Sequence, residues 1–79
     1  MRILFVEDDP NLQRETAHFL EAHQHEVTVC SNVQEGLAYA EQHEPDLLLC
    51  DYRLEGGPNG LVLAKQVRNL YKDCVIVMI

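Results

Sequence analysis

Seventy-nine residues allow one small domain, and a chain of this length buries only about 60% of the surface its unfolded form exposes. A hydrophobic fraction of 47% belongs to a folding chain, while a net charge of -7 with no Lys or Arg cluster argues against direct contact with nucleic acid or an anionic membrane surface. No apolar run approaches the roughly 18 residues of a membrane span, and acids follow "MRILFV" too soon for a signal peptide, so a cytoplasmic location is expected.

Ile3 to Val6 form a continuous apolar run, which suits a strand buried on both faces. Asp9 and Pro10 read as the N-cap and first residue of a helix. Leu12, Thr16, Phe19, Leu20 and His23 continue it at helical spacing to about His23. "EVTVC", Glu26 to Cys30, alternates and is β-branched, a second strand. Ser31 or Asn32 caps the next helix; Asn32 with Glu35 has capping-box spacing, and Val33, Leu37 and Ala40 make the inner face. A third strand starts after Pro45 in "EPDLLLCD", and "EGGPNG" is a loop by composition. Leu61, Ala64, Val67 and Leu70 predict a third helical stripe, and "CVIVMI" a fourth strand.

The order β-α-β-α-β-α-β implies a parallel sheet with helices on its faces. The sequence stops inside the fourth strand, which suggests a truncated chain. Cys30, Cys50 and Cys74 are odd in number, lie in or beside apolar stretches and form no CxxC, so free buried thiols in a reducing compartment are expected.

Two apolar strands end in carboxylates: the first in Glu7, Asp8 and Asp9, the third in Asp51. In an open parallel sheet, ligands bind beyond the carboxyl ends of the strands, where strand order reverses. If the first and third strands are neighbours, Glu7, Asp8 and Asp51 converge there and raise one another's pKa. A divalent cation relieves that repulsion, and hard oxygen donors select Mg²⁺ or Mn²⁺. Asp9, before Pro10, is better used as a helix cap. A solvated strand end accounts for Glu7 and Asp8 taken alone; the matching Asp51 on a second strand is what makes a site.

"ILFVEDDP", "PDLLLCDYRLEGGPNGLVLAKQVR" and "VIVMI", in this order and spacing, resemble the receiver domain of bacterial two-component response regulators. The resemblance implies a flavodoxin-like α/β three-layer sandwich with strand order 2-1-3-4, and residues 1–79 as the N-terminal part of one receiver domain whose fifth strand and last helices are missing. It implies that Asp51 is the phosphorylated nucleophile. It also implies that Glu7, Asp8, Asp51 and the backbone carbonyl of Arg53 hold Mg²⁺, with Asp8 the more direct ligand of the acidic pair. The expected function is phosphorelay signalling, not enzyme turnover beyond catalysis of the chain's own phosphorylation. The expected partner is a sensor histidine kinase or a phosphotransfer protein.

Glu55 stands where the family usually has proline, and "GGPNG" is one residue longer than the common loop. The family's Ser or Thr after the fourth strand and its Lys after the fifth have no counterpart; Lys65 and Lys72 match neither, so impaired phosphorylation is expected. An uncovered fourth strand favours association. The alternative reading is therefore a non-catalytic dimerisation or interaction fragment of a receiver domain, a homodimer with or without exchanged elements being the form it would take. A Mg²⁺-dependent phosphohydrolase with an Asp-x-Asp pair would need an acid where Arg53 stands. His18, His23, His25 and His43 read as surface histidines, and "GGPNGLVLAK" lacks the spacing of a nucleotide-binding loop.

Overall fold

A computed structural model describes residues 1–54 and 59–79. The elements run β1 (Arg2–Val6), α1 (Pro10–Ala22), β2 (Glu26–Cys30), α2 (Val33–Gln42), β3 (Leu47–Cys50), α3 (Gly60–Leu70) and β4 (Val75–Met78). The loop expectation for "EGGPNG", and the departure at Glu55, fall mostly on residues 55–58, outside the described residues.

Local chemistry sets the helix ends. Asp9 caps α1 by accepting hydrogen bonds from the Asn11 and Leu12 amides, and Pro10 opens the helix where a missing N–H costs nothing. At the other end Gln24 adopts φ 72°, while its N–H reaches Glu21 O at 3.0 Å and the His25 N–H reaches Leu20 O at 3.2 Å. That pair of bonds closes the helix in the left-handed turn usually given to glycine. Asn32 is the cap of α2: its Oδ1 accepts from the Glu35 amide at 2.9 Å, and Glu35 Oε1 accepts from the Ser31 amide at 2.9 Å. The Asn32 half of the capping box closes as the spacing implies, while Glu35 engages the amide one residue before the cap.

The four strands are parallel and ordered β2-β1-β3-β4, with Leu4 opposite Thr28 and Leu48, and Leu48 opposite Ile76. From β1 the chain turns one way through α1 to β2, and the later crossovers proceed the other way. Right-handed connections therefore place α1 on one face and α2 with α3 on the other. The second face holds the main core: Leu4, Val6, Leu48 and Cys50 from the sheet meet Ala40, Leu63, Ala64 and Val67 from the helices. Ile3 and Phe5 alternate with them and are buried on the α1 side.

Two helical stripes differ from expectation. In α3 the buried positions are Gly60, Leu63, Ala64 and Val67, whereas Leu61 and Leu70 are exposed. The spacing Leu61–Ala64–Val67–Leu70 advances three residues at a time and drifts off a 3.6-residue face, so only its middle members reach the sheet. In α1 no residue is fully buried, and Leu12 and Phe19 are exposed. The helix packs beside β2 and leaves its apolar stripe half uncovered; Phe19 instead lies against His23 in a tilted ring contact, centroids 4.4 Å apart. No described helix is long and apolar enough to cross a membrane. All three cysteines are free and buried.

Candidate functional site

The strand order reverses between β1 and β3, whose last residues Val6 and Cys50 lie side by side. The next residue of each strand, Glu7 and Asp51, therefore emerges at one edge. Backbone bonds fix both: Glu7 N–H donates to Cys30 O at 3.0 Å, and Asp51 N–H donates to Val6 O at 3.0 Å. Glu7, Asp8 and Asp51 each present a carboxylate oxygen to a cluster in which all three lie within 4.8 Å of one another. The convergence expected from the sequence is present, and the strands responsible are direct neighbours.

Each acid is held differently. Glu7 is 3% exposed, and its Oε2 accepts from the Asp9 amide at 3.1 Å. Asp51 is half-buried, and its Oδ1 accepts from the Arg53 amide at 3.0 Å. This bond folds the chain back over the carboxylate and places the Arg53 backbone beside it, while the Arg53 side chain is exposed. Asp9 points its oxygen at the helix and stands outside the cluster, as its capping role requires. None of the four histidines joins the acidic group.

The electrostatics follow from this crowding. Burial is the main reason that the Glu7 carboxyl lies above its ordinary value of 4.5; a hydrogen-bonded contact with the Asp8 carboxyl and the charge of Asp51 push the same way. The Asp9 and Asp8 amides oppose the rise. Cys50, next to the cluster, is pushed up to about 11 by burial first, then by Asp51 and Glu7. A thiol in that position stays protonated at neutral pH.

The donor set suits a small hard cation. Mg²⁺ takes oxygen ligands at about 2.0–2.1 Å in an octahedron, which puts neighbouring ligands about 3 Å and opposite ones about 4 Å apart. Carboxylate oxygens within 4.8 Å of each other reach that arrangement with side-chain adjustments below about 2 Å, and no sulfur or imidazole competes in the described cluster.

Two residues that shape the site carry no signal in the sequence. Gln13, one turn into α1, donates from Nε2 to the Glu7 carbonyl and to Ser31 Oγ, the latter at 3.0 Å. It ties the acidic loop after β1 to the loop after β2. A glutamine on a polar helix face is indistinguishable from a solvated one until the loops are placed. Gly60 is the second: it opens α3 directly against the Asp51 carbonyl.

Comparison with known proteins identifies the family and the fold. Residues 3–79 match the family profile of the response regulator receiver domain. The transcriptional regulatory protein BaeR of Escherichia coli O6:H1 is 38% identical over 99% of this chain, which spans 32% of that protein. Among solved structures, the receiver domain of the hybrid histidine kinase CckA superposes with a TM-score of 0.90 at 31% identity, covering 99% of this chain and 73% of that one. TrrA of Thermotoga maritima in complex with Mg²⁺–BeF gives a TM-score of 0.88 at 30% identity, over 98% and 66% of the two chains. TrrA has also been solved in complex with the histidine kinase ThkA, with a TM-score of 0.86 at 30% identity over 98% and 66%. The flavodoxin-like architecture implied by the sequence is the architecture observed, in the order β2-β1-β3-β4.

Proposed function

Since this chain belongs to the response regulator receiver domain family, a family of signalling domains, we propose that Asp51 accepts a phosphoryl group in a two-component phosphorelay. The observation that carries this reading is the meeting of Glu7, Asp8 and Asp51 at the reversal point of the sheet. Its donor is a phosphohistidine on a sensor histidine kinase or phosphotransfer protein. The ThkA–TrrA complex, at 30% identity, supports a partner of this kind. Mg²⁺ is the cofactor, held by Glu7, Asp8, Asp51 and the backbone carbonyl of Arg53; the Mg²⁺–BeF complex of TrrA supports that assignment.

The chain's own residues perform the reaction by position. A carboxylate oxygen of Asp51 attacks phosphorus; the new O–P bond forms as the P–N bond to the donor imidazole breaks, and the imidazole leaves with the electron pair and takes up a proton. With acetyl phosphate the broken bond is P–O and acetate leaves. The Asp51 N–H bond to Val6 O and the Arg53 N–H bond to Asp51 Oδ1 hold the nucleophile in one orientation, which removes an entropic cost from the encounter. When bound, Mg²⁺ offsets the repulsion between the carboxylates and the incoming phosphoryl oxygens.

Incubation with acetyl phosphate and MgCl₂, read by intact mass, should add one phosphoryl group to the wild type. The adduct should vanish in Asp51→Asn and in EDTA. A wild type that stays unlabelled under conditions that label another receiver domain overturns the proposal.

A second reading has its own observation. Val75 and Val77 on β4 are 52% and 39% exposed, so this strand presents apolar side chains at the sheet margin. An interaction module acting through a homodimer would self-associate equally in wild type and Asp51→Asn, and with or without Mg²⁺. Analytical ultracentrifugation showing a monomer at high concentration removes that reading.

A further inference from the structure

We infer that Gly60 is a positioning residue for Asp51: its missing side chain lets the first turn of α3 rest on the Asp51–Tyr52 peptide and thereby fixes where the acceptor carboxylate sits. The inference rests on the reading of Asp51 as acceptor, and it adds a residue from outside the acidic cluster to the same site.

The geometry is unusually tight. A Cβ on Gly60 would stand 2.0 Å from Asp51 O, 3.0 Å from Asp51 C and 3.0 Å from Tyr52 Cα. All three are backbone atoms, so no rotamer change relieves the contact. Gly36 gives the contrast: a Cβ there meets the side-chain ends Leu63 Cδ2 at 2.9 Å and Val6 Cγ2 at 3.1 Å, which can give way. Gly60 is the first residue of α3, where any L-residue adopts the backbone, so its requirement is space and not conformational freedom.

Both sides of the contact are anchored. Asp51 N–H is bonded to Val6 O, Tyr52 N–H to Ile79 O at 2.8 Å, and Gly60 N–H to Tyr52 O at 3.2 Å. The Cys50 thiol donates towards Asp51 O at 3.4 Å and Gly60 O at 3.8 Å, spanning the same junction. Behind it, α3 is pinned by Leu63 and Val67, each 0% exposed. Relief of the 2.0 Å contact therefore demands a shift of about 1 Å, either of α3 or of the Asp51 peptide. Rotation of that peptide swings the carboxylate away from Glu7 and Asp8 and from the Arg53 amide. A misplacement of about 1 Å at a reacting group costs on the order of 100-fold in rate.

The test compares Gly60→Ala with Gly36→Ala and wild type by acetyl phosphate labelling per folded molecule in MgCl₂. The amide resonance of Arg53, which reports the carboxylate directly through its bond to Asp51 Oδ1, is followed without acetyl phosphate. Gly60→Ala should label about 100-fold more slowly and shift the Arg53 amide. Gly36→Ala should lose stability yet label within about twofold of wild type and leave that amide in place. Either change in Gly60→Ala without the other, or an equal loss in Gly36→Ala, overturns the inference. Should Gly60→Ala not fold in buffer, the measurements are made in trimethylamine N-oxide, which drives compaction by its exclusion from protein surface. Wild-type labelling there, or failure to fold even there, leaves Gly60 a packing residue and also overturns it. If wild type itself does not label, the acceptor reading fails, and the Arg53 amide alone decides the role of Gly60.

Discussion

Replacing Asp51 with asparagine should stabilise the metal-free protein and destroy its response to Mg²⁺, so that the cation reverses the stability order of the two proteins. The acidic oxygens of Glu7, Asp8 and Asp51 lie within 4.8 Å of one another. At that distance two unit charges repel by about 0.9 kcal/mol if fully screened by water and about 3.5 kcal/mol at an effective dielectric of about 20. Glu7 is sealed from solvent while Asp51 is half-exposed, so the relief falls between these limits. Against it stands the bond from the Arg53 amide, which changes from charge-assisted to neutral and loses about 1 kcal/mol. The net gain is about 1 kcal/mol, a rise of about 4–8 °C in melting temperature for a domain of this size. In Mg²⁺ at about 100 times its dissociation constant, wild type gains about 2.7 kcal/mol and overtakes the variant. Thermal melts followed by circular dichroism, in EDTA and in MgCl₂ at pH 7, measure both effects. A variant that melts below wild type in EDTA, or that gains as much from Mg²⁺, refutes the electrostatic account of the cluster.

Three further outcomes follow from particular residues. The folded-state pKa of Glu7 is raised above 4.5, so the folded chain holds this proton more firmly than the unfolded one; its contribution favours folding at low pH and is lost as pH rises through the raised value. In metal-free urea titrations at several pH values, Glu7→Gln should therefore gain on wild type as pH increases above 4.5; a difference independent of pH would contradict this. Gln24→Gly should raise stability by about 0.5–1 kcal/mol, because Gln24 at φ 72° carries a steric cost that glycine lacks; an unchanged or lower urea midpoint would count against it. Leu63→Ala empties a site at 0% exposure between α3 and the sheet and should cost about 2–5 kcal/mol, enough to leave a large unfolded fraction by circular dichroism; a loss below about 1 kcal/mol would mean the core there collapses freely.

Much of this was legible because the relevant signals are local. The run Ile3 to Val6, the Asp9–Pro10 start and the Asn32–Glu35 spacing each encode their own strand or helix end, and the structure realises them where they stand. The acidic cluster was legible for a different reason: parallel alternation brings the ends of strands to one side, so carboxylates after two apolar runs need only neighbouring strands to meet. The apolar face of α3 was misplaced at both ends, with Leu61 and Leu70 exposed and Leu63 buried, since these leucines are equally apolar and only the docking angle of the helix decides between them. Gln13 and Gly60 stayed invisible because their roles depend on distances between segments, Glu7 with Ser31 in one case and Asp51 with α3 in the other. No pattern within either segment records such a distance.

The three protected cysteines give the molecule a built-in stopwatch for local opening. Cys30 closes β2, Cys50 closes β3 and Cys74 precedes β4, and they are 8%, 0% and 2% exposed. A thiol reagent reaches each sulfur only when its own part of the sheet parts from the helices above, so three alkylation rates on one unmodified chain report three separate excursions. The slowest clock should be Cys50, which lies beneath the junction of α3 with the strand that carries Asp51; its rate would show how often the support of Asp51 comes loose.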